Sequence, residues 1–231
     1  MFDAHAHLTE RPPQPHPDGV RGWIVPGVDL DSERLVARLE ASDPRIAASI
    51  GLHPWHLPSS IEELELRLQR LRAEVEIRRP IAVGEAGLDK SWRGKPKDVQ
   101  RAAFVAQVRL AHRLGLPLII HCVRAHGGCL EVLEQEGFGG GGMVHDFGGP
   151  REMVRPWIDA GFFLSISPRS MDHAAVVRDI PGERLLIETD DEGTERLVEV
   201  RDAVARIRGV EPGDIASITE SNARRLFGLI G

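Results

Sequence analysis

Residues 81–123 read IAVGEAGLDK SWRGKPKDVQ RAAFVAQVRL AHRLGLPLII HCV. The stretch opens on a short apolar run, residues 81–86, and closes on another, residues 118–123. Both are too short for helices and suit strands covered on both faces. Between them, residues 97–114 fit an amphipathic helix. This strand, helix, strand unit repeats outward in both directions. Further strands are expected at residues 2–7, 23–26, 46–52, 143–147, 162–166 and 185–189. Helices are expected at residues 31–41, 60–78, 130–136, 151–160, 171–179, 194–208 and 212–229. In residues 60–78, Ile61, Leu64, Leu68, Leu71 and Val75 recur at helical spacing, and Pro212 suits a helix start. Eight strands with intervening helices predict an α/β fold, a TIM-like (β/α) barrel, with a doubly wound sheet as the runner-up. One connection breaks the rhythm: residues 9–19, TERPPQPHPDG, hold four prolines and leave no room for a regular helix, so the first outer helix is expected to be missing. The strand pattern resumes directly after the glycine tract at residues 139–142. Residues 1–231 are therefore expected to form one domain.

Composition narrows the function. The chain has 231 residues, 42% hydrophobic and 28% charged, enough for a full core without disulfides. A net charge of −6 argues against a general attraction to nucleic acid or to an acidic membrane. Two cysteines, Cys122 and Cys129, make neither a disulfide framework nor a paired zinc motif, and point to a reducing, cytoplasmic location. No apolar run is long enough to span a bilayer, and MFDAHAHL lacks the pattern of a secretory signal. No protein partner can be inferred.

The chemistry lies at strand ends. His5 and His7 are two apart on a strand and face the same side, so they can share one ion. Glu85 falls near the end of the fourth strand, His121 of the fifth, His145 of the sixth and Asp190 of the eighth. In a parallel barrel that end carries the active site. Six imidazole and carboxylate donors exceed the needs of one tetrahedral ion. They suit two divalent cations sharing a carboxylate, with Glu85 as the bridge. Taken singly, each of these residues is as well explained by core packing or a salt bridge; their coincidence at one barrel end favours a metal.

In order along the chain, DAHAHL (3–8), GLHP (51–54), GEAGLD (84–89), HCVR (121–124), HDFGG (145–149), ETD (188–190) and Asn222 with Phe227 resemble the motifs of the TatD-related metal-dependent hydrolases, the TatD DNases. The resemblance covers nearly the whole chain. It implies a barrel with a binuclear centre: His5, His7 and Asp190 on one ion, His121 and His145 on the other, Glu85 between. It also implies a phosphodiesterase or DNase that uses metal-activated water, with Asp190 as general base and DNA or another phosphodiester as substrate. Mg2+ or Mn2+ is expected for nuclease activity, while the histidine-rich ligands also suit Zn2+ or Ni2+.

Around the centre, Arg124 is a candidate phosphate grip or an ion-pair partner. His53 is a candidate phosphate donor or a turn cap before Pro54. Asp89 is a candidate support for a ligand. Lys90 and Trp92 sit in a basic loop, KSWRGKPK, that could track a backbone and stack a base, or be merely solvated. Cys122 is expected to pack as a small apolar group. The chain departs from the family after Asp190, where Asp191-Glu192-Gly193 replaces Ala-Pro and a long loop, and at Asp146. These extra acids are expected to repel a phosphate backbone. The rival readings are hydrolysis of another ester, amide or lactone, and a metal-binding protein without catalysis.

Overall fold

Local chemistry sets the element boundaries. Ser60 Oγ accepts the Glu63 N–H at 3.2 Å and starts α2 (Ile61–Arg78); Arg79, in the left-handed region at φ 49°, ends it by returning its N–H to Val75. Leu64, Leu68, Leu71 and Val75 of α2 are buried, whereas Ile61, at the first turn, stays exposed. The computed structural model describes residues 1–8, 19–29, 32–92, 94 and 96–229. Strands β1 (Phe2–Asp3), β2 (Gly22–Pro26), β3 (Ile46–Ile50), β4 (Ala82–Asp89), β5 (Leu118–Val123), β6 (Gly142–Val144), β7 (Phe162–Ile166) and β8 (Leu185–Ile187) pair in sequence order, all parallel. The sheet comes back on itself: Ala4 N–H donates to Ile187 O at 3.0 Å, Asp190 N–H to His5 O at 2.8 Å and His7 N–H to Asp190 O at 2.9 Å. The molecule is an eight-stranded parallel α/β barrel. The expected loss of the first outer helix concerns residues 9–18, which lie outside the described residues.

The outer layer holds α1 (Ser32–Ser42), α2, α3 (Lys97–Leu114), α4 (His126–Gln135), α5 (Val154–Asp159), α6 (Ala174–Asp179), α7 (Leu197–Arg208) and α8 (Pro212–Phe227). Several boundaries differ from the sequence pattern: the strands expected at 2–7, 46–52, 143–147 and 185–189 end earlier, and residues 194–196 form a 3-10 turn ahead of α7. Helix α4 begins earlier, at His126, and runs through Gly127 and Gly128. The segment expected as one helix at 151–160 is a 3-10 turn followed by α5, because Pro156 has no N–H for the carbonyl of Glu152. Residues 171–173 form turns ahead of α6, with the Met171 N–H on Ser167 O at 2.9 Å. Among the described residues no helix is long and apolar enough to cross a membrane.

Two apolar layers result. Most buried apolar side chains lie between the strands and the outer helices. A smaller cluster fills the barrel: Phe2, Ala4, Ile24, Ala82, Ile119, Met143, Phe163 and Leu186, with Ala223 and Phe227 of α8 packed against it. Helix α8 thus plugs the N-terminal mouth and leaves the C-terminal mouth open.

Candidate metal centre

The inner cluster positions the site. In β5, β6 and β8 the inward residues Ile119, Met143 and Leu186 are followed two positions later by His121, His145 and Glu188, so strand alternation places these polar groups one layer nearer the open mouth. Glu85 is reached differently. Ala82 faces the barrel interior, so strict alternation would turn Glu85 outward. The register shifts between Val83 and Ala86, both of which pack in the outer layer, and the shift swings Glu85 inward. Farther along the same strand, Gly87 (φ 153°) lets β4 and β5 approach; a Cβ there would lie 1.9 Å from the His121 carbonyl oxygen. β1 changes phase in the same way after Asp3, with Ala4 packed inside and Ala6 outside, which brings His5 and His7 to the interior. Asp3 fixes that turn by accepting the Thr189 N–H at 3.0 Å and hydroxyl at 2.6 Å; its burial raises its pKa to about 7 against those bonds.

The six expected donors converge. His5 Nε2 lies 3.2 Å from His7 Nε2, 3.3 Å from Glu85 Oε2 and 3.9 Å from Asp190 Oδ1. His7 Nε2 lies 3.3 Å from Asp190 Oδ1. On the other side of Glu85, Oε1 lies 2.8 Å from His145 Nε2 and 3.0 Å from His121 Nδ1, and those two nitrogens are 3.1 Å apart. The two oxygens of Glu85 thus face separate sets of histidine nitrogens, Oε2 those of His5 and His7 and Oε1 those of His121, His145 and His53.

Neighbouring carboxylates fix which nitrogen points inward. His121 Nε2 meets Asp89 Oδ2 at 3.2 Å, and His145 Nδ1 meets Glu188 Oε1 at 3.3 Å. With the outer N–H on that carboxylate, each ring would turn its lone pair toward Glu85, the arrangement of a metal-ligating histidine. In that arrangement the inward lone pairs of His121 and His145, 3.1 Å apart beside a carboxylate, repel one another unless a cation lies between them, so the donor set fits divalent metal. His53 is different. Its Nδ1 accepts the Trp55 N–H at 3.1 Å, so the neutral ring carries its proton on Nε2, 3.3 Å from Glu85 Oε1. It both caps the turn before Pro54 and reaches the centre as a donor. Burial opposes charge on Glu85, but His145, His53, His5 and His121 outweigh it and hold the carboxyl well below its usual range. Asp190 is likewise held low, mainly by His7 and His5 against its burial.

The centre opens into a cavity of about 550 Å³ lined in part by Trp55, Asp89, Ser91, Asp146, Arg169 and Asp191. Among the described residues the arginine on this wall is Arg169, from the loop after β7; Arg124 is exposed and lies outside the wall. Arg169 bonds Asp190 and Asp191, and lies 3.9 Å from Asp146 and 3.4 Å from Glu192. The extra acids thus share a guanidinium, and Ser167 Oγ also donates to Asp146. The sequence carried no signal for Arg169, because only the pairing of β7 with β8 sets the loops after them side by side. Lys90 is exposed, and Trp92 stacks on Trp55. Cys122 packs against the main core cluster as expected, is only partly buried, and also makes polar contacts, 3.3 Å from His126 Nδ1 and hydrogen-bonded to Cys129.

Residues 2–228 match the family described as TatD related DNase. The chain belongs to the TatD family. It is 34% identical to the uncharacterized metal-dependent hydrolase TatD of Mycobacterium tuberculosis, over 99% of this chain and 98% of the relative. It is 28% identical to the 3'-5' ssDNA/RNA exonuclease TatD of Escherichia fergusonii, over 91% and 89%. Among solved structures, the TatD homologue YjjV of Escherichia coli superposes with a TM-score of 0.85 at 24% identity, covering 100% of this chain and 98% of that one, and so shares the fold. The chain is a metal-dependent hydrolase of this family, and among the described residues the groups able to hold an ion are His5, His7 and Asp190; His5, Glu85 and His145; and His53, Glu85 and His121.

Proposed function

We propose that this TatD-family hydrolase cleaves phosphodiester bonds in single-stranded nucleic acid at a two-cation centre. The observation that carries the reading is Glu85, whose two oxygens face separate sets of histidine nitrogens, Oε2 those of His5 and His7, Oε1 those of His121, His145 and His53. His5, His7 and Asp190 would hold one divalent ion and His121 and His145 the other, with Glu85 shared. Relatives named as 3'-5' ssDNA/RNA exonucleases support the substrate class. Bound cations supply Lewis acidity, lowering the pKa of water from 15.7 towards about 7, and positive charge beside the phosphate. The candidate ions are Mg2+ and Mn2+, with Zn2+ and Ni2+ compatible with the imidazoles.

The residues divide the remaining work. Asp190 is the general base: it is ionised, it lines the cavity, and Arg169 and His7 fix its two oxygens. His53 donates its Nε2 proton to a phosphate oxygen. Arg169 supplies charge on the cavity wall, and Arg124, Lys90 and Trp92 bind the strand beyond it. The free thiols Cys122 and Cys129 accord with a cytoplasmic enzyme.

The test is a 5'-labelled single-stranded DNA or RNA incubated with Mg2+ or Mn2+. Products shortened from the 3' end are expected, with Asp190→Asn inactive and folded. Intact nucleic acid beside rapid cleavage of a carboxylic ester or lactone would replace this reading with hydrolysis of that bond.

A further inference from the structure

Two tryptophans stand at the mouth of the centre. Trp55 follows the His53 turn, and Trp92 follows β4. Their rings stack with centroids 5.1 Å apart and planes 26° from parallel. Both are large apolar groups left in water, 45% and 40% exposed. The stack is held rigidly. Trp55 Nε1 donates to Asp89 Oδ2 at 2.7 Å, and the Trp92 N–H donates to Asp89 Oδ1 at 3.1 Å. One carboxylate thus holds the Trp55 indole and the Trp92 backbone, and also faces His121. The Trp55 ring lies 5.9 Å from the His121 ring, so the platform begins one ring's width from a candidate metal ligand.

We propose that the Trp55–Trp92 stack is a nucleobase subsite that holds an unpaired base next to the bond being cut. The proposal deepens, and rests on, the nuclease reading above. Three observations lead to it. The platform is continuous with the cavity, whose wall includes Trp55. The chain carries a net charge of −6, so its general attraction to the phosphate backbone is weak and contacts that do not depend on charge add to the local charged ones. Stacking on indole is such a contact, and it accepts any of the bases. It also selects single strands, because a base in a duplex has both faces covered. The subsite would set strand preference without setting sequence preference.

The experiment uses the Mn2+-loaded protein and two single-stranded oligonucleotides, one with an ordinary 3'-terminal nucleotide and one with an abasic terminus. Cleavage gives kcat and KM; quenching of tryptophan emission gives binding without turnover, against the constant signal of the buried Trp23 and Trp157. Wild type is expected to show a KM roughly 5- to 100-fold lower for the base-bearing end, the range that stacking of one base supplies. Trp92→Ala should collapse that ratio towards one and remove most of the quenching, while Trp92→Phe restores part of both. Equal KM values for the two ends in wild type, or a ratio and quenching unaltered in Trp92→Ala, would overturn the subsite. Failure of the nuclease reading looks different: wild type cuts neither oligonucleotide. Quenching then decides the platform alone, being retained and Trp92-dependent if it binds bases and absent if it does not.

Discussion

His121 Nε2 lies 3.2 Å from Asp89 Oδ2, and that contact decides which face of the imidazole the metal centre receives. With the Nε2 proton on the carboxylate, Nδ1 is left bare toward Glu85 and His145. Asp89→Ala removes the acceptor and frees the ring. Metal affinity is expected to fall roughly 10- to 100-fold, the usual effect of losing such an orienting partner, with the circular dichroism spectrum retained. Metal titration checks it. An unchanged affinity would mean that Asp89 does not orient His121.

Arg169 stands among Asp146, Asp190, Asp191 and Glu192. Arg169→Ala leaves four carboxylates facing an anionic substrate. KM for an oligonucleotide is expected to rise about 10-fold at low salt, and the defect should shrink as added salt screens the repulsion. Adding Asp191→Asn to that variant should recover part of the loss. Steady-state kinetics across ionic strength would reveal a flat defect if the acids do not matter.

Phe227 closes the mouth opposite the centre, packed in the inner cluster. Phe227→Ala is expected to cost about 3–5 kcal/mol, the range for large-to-small core changes. At roughly 2–4 °C per kcal/mol for a chain of this size, Tm falls by about 10 °C. Metal content should stay the same, because the donors lie at the other end. Differential scanning calorimetry and metal analysis separate the two effects.

Cys122 carries a lowered pKa, about 6, set first by its hydrogen bond with Cys129, against burial, and then by His126. A lowered thiol pKa keeps the thiolate down to lower pH. Alkylation by iodoacetamide is expected to be half-maximal near pH 6, where an ordinary cysteine reaches half its rate near about 8.5. Cys129→Ser should move the midpoint, and Cys129, whose pKa is raised, should not react. A wild-type midpoint above 8 would contradict the assignment.

The alternation of apolar runs and amphipathic stretches made the barrel legible, because each strand buried on both faces shows as a continuous apolar run. That His5, His7, His121, His145 and Asp190 come to one end of the barrel was legible for the same reason, since each lies late in a strand or just past its end. How Glu85 enters the barrel was hidden, because it depends on a register shift between Val83 and Ala86 that no periodicity announces. The tautomer partners were partly legible: Asp89 and Glu188 stand inside recognisable motifs, but only the fold shows which histidine each one meets. Arg169 was not legible, because it acts on acids about twenty residues later through the pairing of β7 with β8. Trp55 could have been found from its place beside His53 and Pro54; its stacking on Trp92 could not.

The central claim is that Glu85 joins two cation sites. The most direct measurement is elemental analysis of the full chain after reconstitution with Mn2+ or Zn2+ and removal of excess metal. Two ions per chain are expected for wild type, with Glu85→Ala retaining one or fewer. A well-folded wild-type protein that retains no metal, or a Glu85→Ala variant that still holds two, would contradict the account.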